Sequence, residues 1–156
     1  NKNVKPWYQH IKKNDIPTID EDKDVLIKVL VGKVKNISSA VQTYSPVSIF
    51  DVQFTKPSLI DLDIPKNQTA MVYVIDGKLK FHDDNEIARK GQMIYFDQSS
   101  DMINLTSIST TGSYLVLAGE PLNESVVRYG PFVTNTEGDM KQVMLDYQNG
   151  KMGKLS

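Results

Sequence analysis

His10 and His82 are the only imidazoles in the chain. A metal centre would need both, together with carboxylates, because several ligands must converge on one ion. His10 lies in a polar segment near the start and His82 at the end of an apolar run, and their spacing does not bring them together. Each reads as a structural or surface histidine. Asp61 and Asp63 alternate with apolar residues in "SLIDLDI", so they share one side of a strand, where a pair of carboxylates can divide acid and base roles. The same alternation describes the solvated face of a half-buried strand, and that reading is preferred. Asp83, Asp84 and Glu86 form an acidic cluster that would suit a hard cation, but it lacks the ligand count of a calcium loop and reads as a solvated turn. No Gly-x-Ser-x-Gly elbow and no glycine-rich phosphate loop is present. With no cysteine at all, thiolate nucleophiles, thiolate metal sites and disulfides are excluded together, and a reducing, cytoplasmic setting is expected.

The elements that would carry these residues are mostly strands. "VLIKVLVG" (25–32) is rich in β-branched residues, and "VSIFDVQF" (47–54) follows a Ser-Pro turn. In "SLIDLDI" (58–64), Ile60, Leu62 and Ile64 fall on one face and Asp61 and Asp63 on the other. "AMVYVIDGKLKFHDDNEIA" reads as strand, Asp76-Gly77 turn, strand and acidic turn. "GQMIYF", "DMINLTSI" and "SYLVLAG" complete the series. Tyr73, Phe81, Tyr95, Phe96 and Tyr114 lie on these strands and are expected to pack in a core rather than stack on nucleic-acid bases. Short strands separated by regular turn signals predict a β-sandwich or barrel.

After Pro131 the period changes. Thr136 can cap a helix, and Met140, Val143, Met144 and Tyr147 then recur at helical spacing until Gly150. One helix over 137–148 is predicted, with an apolar stripe. Residues 1–24, polar and broken by Pro6 and Pro17, read as a lead-in, and 25–156 as the domain.

The chain has 156 residues, enough for one domain with its own core. Its 18 Lys and Arg against 19 Asp and Glu leave a net charge of −1, which gives no electrostatic case for nucleic acid or an anionic membrane. No apolar run approaches a membrane span, and the polar start is not expected to be a signal peptide. The first residue is Asn1 rather than Met, so a chain trimmed or cut from something longer is expected.

The closing stretch resembles the C-terminal half of pirin-like proteins. The likeness rests on Gly119-Glu120-Pro121-Leu122-x-Glu124, then Tyr129-Gly130-Pro131-Phe132-Val133-x-Asn135-Thr136, then Asp146-Tyr147-x-x-Gly150-Lys151. The opening "WYQHIKKNDIP" and the run "VLIKVLVG" are similar to the segments that lead into that half. Ser125 departs from the pattern, standing where the family usually has proline. The resemblance implies an all-β, cupin-type (RmlC-like jelly-roll) β-barrel with a C-terminal α-helix. It implies a bicupin parent whose N-terminal barrel holds iron or another divalent metal through three His and one Glu. Some members are linked to dioxygen cleavage of quercetin and others to transcriptional co-regulation.

A metal-binding cupin carries its ligands in two windows. Here the first would end at Gly77, with Asn67, Thr69 and Met71 at the ligand positions. The second would start at Gly91, with Met102 or Ile103 at the histidine position. Neither window contains a histidine. The expected function is therefore a metal-free C-terminal cupin domain with a structural, cleft-forming or binding role and no catalysis of its own. A fragment of a quercetin 2,3-dioxygenase-like oxidoreductase and an interaction module of a transcriptional co-regulator are the alternatives. Gly119, Glu120, Pro121, Leu122, Glu124, Tyr129, Gly130, Pro131, Phe132 and Asn135 are expected to be structural, with no catalytic, cofactor or metal residue in this chain. The expected partner is an N-terminal cupin domain or a second copy, with a small aromatic ligand in the parent and neither nucleic acid nor membrane.

Overall fold

Strand formation follows the β-branched and aromatic runs, and pairing rather than sequence order decides which runs meet. The computed structural model describes residues 4–21, 23–81, 86–96 and 101–153. After a single 3-10 turn at Lys13–Asp15 come β1 (Thr18–Glu21), β2 (Val25–Val31), β3 (Lys33–Val34), β4 (Ile37–Ser38), β5 (Val47–Phe54), β6 (Ser58–Asp63) and β7 (Thr69–Asp76). There follow β8 (Lys78–Phe81), β9 (Glu86–Arg89), β10 (Met93–Phe96), β11 (Met102–Ser107) and β12 (Gly112–Gly119). The chain divides into two compact units, Asn1–Pro121 and Leu122–Ser156.

In the first unit a six-stranded sheet runs β1-β2-β5-β12-β7-β10 and a four-stranded sheet β6-β11-β8-β9, with β3 and β4 forming a separate small hairpin. Every one of these strand pairs is antiparallel. One hydrophobic cluster draws on both sheets. In the larger sheet Val52, Tyr114 and Val74 stand opposite one another, as do Phe50, Val116, Val72 and Ile94. The smaller sheet supplies Ile60, Leu62, Leu79 and Leu105, each at most 1% exposed. A side chain of this kind contributes about 1.5–3 kcal/mol when fully buried, so this double layer is the main source of stability. It is the two-sheet architecture of a jelly-roll barrel.

Two sequence readings are corrected here. Asp76-Gly77 is not a hairpin turn between paired strands: β7 pairs with β12 and β10, whereas β8 pairs with β11 and β9. Gly77, at φ +86°, is the corner where the chain leaves one sheet for the other. A Cβ there would lie 3.0 Å from the Thr111 carbonyl oxygen, so the corner favours glycine. Thr18–Glu21, within the polar lead-in, is a strand because it pairs in register with β2, from Thr18 opposite Lys28 to Glu21 opposite Val25.

The second unit contains β13 (Val127–Tyr129), β14 (Phe132–Thr134) and α1 (Glu137–Gln148). β13 and β14 form an antiparallel hairpin across Gly130-Pro131, with Gly130 at φ +53°. The Thr136 hydroxyl accepts a 3.0 Å hydrogen bond from the Asp139 amide and caps α1. At the other end the Asn149 and Gly150 amides donate back to the Leu145 and Tyr147 carbonyls, both at 3.0 Å, and Gly150 turns left-handed at φ +70°. Along the stripe Met140 is buried and Val143 and Met144 are half-buried, while Tyr147 is 62% exposed. An uninterrupted exposed stripe is therefore not what α1 presents.

Candidate functional site

The barrel interior is where a cupin would hold its ion, and the strands show which side chains reach it. On β7 burial alternates so that Ala70, Val72 and Val74 face the core, with Thr69 and Met71 on the opposite side. Thr69 and Met71, the ligand positions assigned from sequence, thus lie on the face away from the core, and Asn67 precedes the strand. A one-residue slip moves every side chain to the other face. On β11 the inward residues are Ile103, Leu105 and Ser107, while Met102 is 42% exposed. Among the described residues the inward positions of these two strands carry hydrocarbon side chains and the Ser107 hydroxyl, and no imidazole or carboxylate of the kind that holds a divalent ion. The inward residues described on these two strands do not fit a metal. Among the described residues no three His, Cys, Asp or Glu side chains gather.

The individual candidates separate in the same way. His10 is exposed in the lead-in. Asp61 sits on the outer face of β6, opposite Asn104, whose amide donates to it at 2.6 Å, and Asp63 lies opposite Met102. The two carboxylates therefore belong to a solvated sheet face and not to a cleft. His82, Asp83 and Asp84 lie outside the described residues; Glu86 opens β9, exposed and opposite Phe81.

Buried polar groups do occur. Ser107 is fully buried and satisfied: its hydroxyl accepts from the Ser58 amide at 2.8 Å and donates to the Ser58 carbonyl at 3.2 Å. The Tyr114 hydroxyl and the Gln68 amide oxygen are also buried, and neither finds a protein partner among the described residues. Burial, reinforced by the charge of Glu21, pushes the Tyr114 hydroxyl well above its usual range, so it stays protonated.

The motif residues fall in two places. Gly119 ends β12, Glu120 and Pro121 follow it, and the Glu120 amide donates to the Pro46 carbonyl at 3.3 Å. In the second unit the Asn135 side chain donates to the Glu124 carboxylate at 2.8 Å and to the Ser125 carbonyl at 2.9 Å. Phe132 packs edge-on against Tyr147 of α1, with ring centroids 5.5 Å apart. Asp146 accepts from Lys151 at 3.0 Å and from Gln142 at 2.9 Å; those bonds hold its carboxyl below the usual range. Tyr129 and Gly130-Pro131 form the hairpin tip, and Leu122 is exposed. Of these residues Phe132 ties the hairpin to the helix and Asn135 ties it to the preceding loop; the motif residues form no constellation of acid, base and nucleophile.

The aromatics divide as well. Tyr114 is buried, and Phe81 and Phe96 meet edge-on at 6.4 Å beside the core. Tyr73 and Tyr95 are instead 37% and 67% exposed on the far side of the larger sheet. The signal that could have separated them is parity with Val72 and Val74, once that face of β7 is known to be inward.

Comparison with known proteins gives the context. Residues 49–153 match the family described as the pirin C-terminal cupin domain. Mouse pirin is 34% identical over 154 residues, covering 97% of this chain and 53% of its own length. Arabidopsis thaliana Pirin-1 is 32% identical over 155 residues, covering 97% and 54%. A crystal structure of quercetin 2,3-dioxygenase from Acinetobacter baumannii superposes with a TM-score of 0.86 at 28% identity, over 96% of this chain and 52% of that one. The chain thus spans about half the length of the curated relatives it matches. No helix among the described residues is long and apolar enough to cross a membrane. With more than half its length matched, the chain belongs to the pirin C-terminal cupin domain family.

Proposed function

We propose that this chain acts as a metal-free cupin half, with a structural, cleft-forming or binding role and no redox chemistry of its own. The observation that carries this reading is the inward lining of the described window strands, apolar at Ala70, Val72 and Val74 on one and at Ile103 and Leu105 on the other, where the polar Ser107 is already bonded to Ser58. Hydrocarbon side chains offer no lone pair to a cation. The test is metal content of the tag-free chain by mass spectrometry, after incubation with Fe(II), Ni(II), Cu(II) or Zn(II) and desalting. Far less than one equivalent is expected. One tightly held equivalent overturns the proposal and sends mutagenesis to His10, His82, Asp83, Asp84 and Glu86.

A second reading is favoured by the likeness to the A. baumannii quercetin 2,3-dioxygenase structure, of which this chain covers 52%. In that reading the chain is one half of an oxidoreductase whose metal ligands lie in another cupin half. The discriminating observation is the gene sequence upstream of Asn1: a three-His, one-Glu set there supports a dioxygenase parent, and its absence removes that reading.

A further inference from the structure

α1 runs out into the pair Asn149-Gly150, the one place in the sequence where glycine follows asparagine. Every other asparagine precedes a residue with a β-carbon. The difference is chemical. A backbone nitrogen can attack the side-chain amide of the asparagine before it, and glycine leaves that nitrogen least crowded and its backbone freest to turn. Both residues are exposed, and a Cβ built on Gly150 would meet nothing within 4 Å. Water therefore reaches the pair, and no neighbouring side chain packs it in place.

We infer that Asn149 is a site of spontaneous deamidation, gated by opening of the last turn of α1. In the closed turn the Gly150 amide donates to the Tyr147 carbonyl at 3.0 Å. On either side the Asn149 amide donates to Leu145 at 3.0 Å and the Lys151 amide to Asp146 at 2.9 Å. The Lys151 ammonium also clips the Asp146 carboxylate at 3.0 Å. With ψ at 6°, the Gly150 nitrogen eclipses the nitrogen of Asn149 and is turned away from its Cβ. Ring closure needs that nitrogen in line with Cβ, so the closed turn is not a near-attack geometry. The reaction waits for the turn to fray, as helix ends do. The freed Gly150 nitrogen loses its proton to solvent and bonds to Asn149 Cγ; the Cγ–Nδ2 bond breaks, and the departing nitrogen takes up a proton and leaves as ammonia. Water then opens the succinimide at either carbonyl, giving aspartate or isoaspartate with no oxidation or reduction. Either product places a carboxylate at the negative end of the helix dipole, one turn after Asp146. Isoaspartate also inserts a methylene into the backbone before Gly150. Both changes oppose re-forming the turn, and the loss of ammonia makes the change one-way.

Peptide mass spectrometry of the full chain, aged in mildly alkaline buffer beside a urea-unfolded sample, tests this. The expected result is a gain of about 1 Da confined to the peptide holding Asn149, with isoaspartate detected there and absent from Asn149→Gln. The unfolded sample should convert faster than the native one. Lys151→Ala, which removes the clip on Asp146, should speed native conversion by about two- to fivefold. Circular dichroism checks that each variant folds; if Lys151→Ala does not, raised salt on the unsubstituted chain weakens the same clip and should act in the same direction. In the converted chain, amide exchange over 145–151 should quicken while β5 and β12 keep theirs. A native chain that keeps Asn149 intact overturns the inference. So does earlier conversion at another asparagine, an equal rate in native and unfolded samples, or indifference to loss of the clip. A converted chain whose exchange over 145–151 is unchanged overturns the stated effect on α1.

Discussion

Tyr114 places a hydroxyl in the hydrophobic core. The side chain is fully buried on β12, its ring 6.3 Å from that of Phe54, and its oxygen has no protein partner among the described residues. A buried hydroxyl without a hydrogen bond costs about 1–3 kcal/mol. Tyr114→Phe should therefore be neutral or stabilising by up to about 1 kcal/mol in a urea melt, against a loss of about 3–5 kcal/mol for Phe50→Ala in the neighbouring row. The same hydroxyl makes stability depend on alkaline pH. Burial raises its pKa above the ordinary value of 10.0, so above about pH 10 the unfolded chain releases a proton that the folded chain keeps, and stability falls as pH rises. Tyr114→Phe should flatten that decline, as read from melting temperatures between neutral and strongly alkaline pH. Gly112 is the opposite case. An added Cβ would stand 2.5 Å from Phe54 Cζ and 2.6 Å from the Asp76 carbonyl oxygen, and overpacking of this kind typically costs about 1–3 kcal/mol. Gly112→Ala should lower the melting temperature while leaving the far-UV spectrum in place.

Elements carried by strong local patterns were legible without coordinates. β5 spans the residues of "VSIFDVQF", and Ile60, Leu62 and Ile64 are buried, as their alternation indicated. What stayed hidden was whatever depends on pairing. β7 is apolar on both faces, so no alternation marks its inward side, and only its register against β10 and β12 places Ala70 rather than Met71 in the core. The Asp76-Gly77 pair announces a bend and says nothing about which sheet the next strand joins. β1 is polar, and its strand character comes from its partner. In the second unit the hydrogen bonds are local, so their loss should be felt locally. Thr136→Ala removes the cap of α1 and should cost about 1 kcal/mol; Asn135→Ala releases Glu124 and the Ser125 carbonyl for about 0.5–1.5 kcal/mol. Both should accelerate amide exchange within 122–153 more than in β5 or β12.

At the scale of the whole molecule, the larger unit is two packed sheets around one shared hydrophobic cluster, and a hairpin with a helix makes the smaller. The strand order adds a constraint of another kind. β12 lies between β5 and β7 and is hydrogen-bonded to both along nearly its whole length, yet it is the last strand of its sheet to leave the ribosome. Until Gly119 has been made, β5 and β7 each expose a long apolar edge with no neighbour. The nascent barrel must therefore remain open through most of its synthesis, a state in which unpaired edges invite aggregation. A chain truncated before β12 should accumulate as insoluble material, whereas one ending at Pro121 keeps all ten strands of the two sheets. For this protein, the pace of translation from β5 through Gly119 sets how long the open state must be protected.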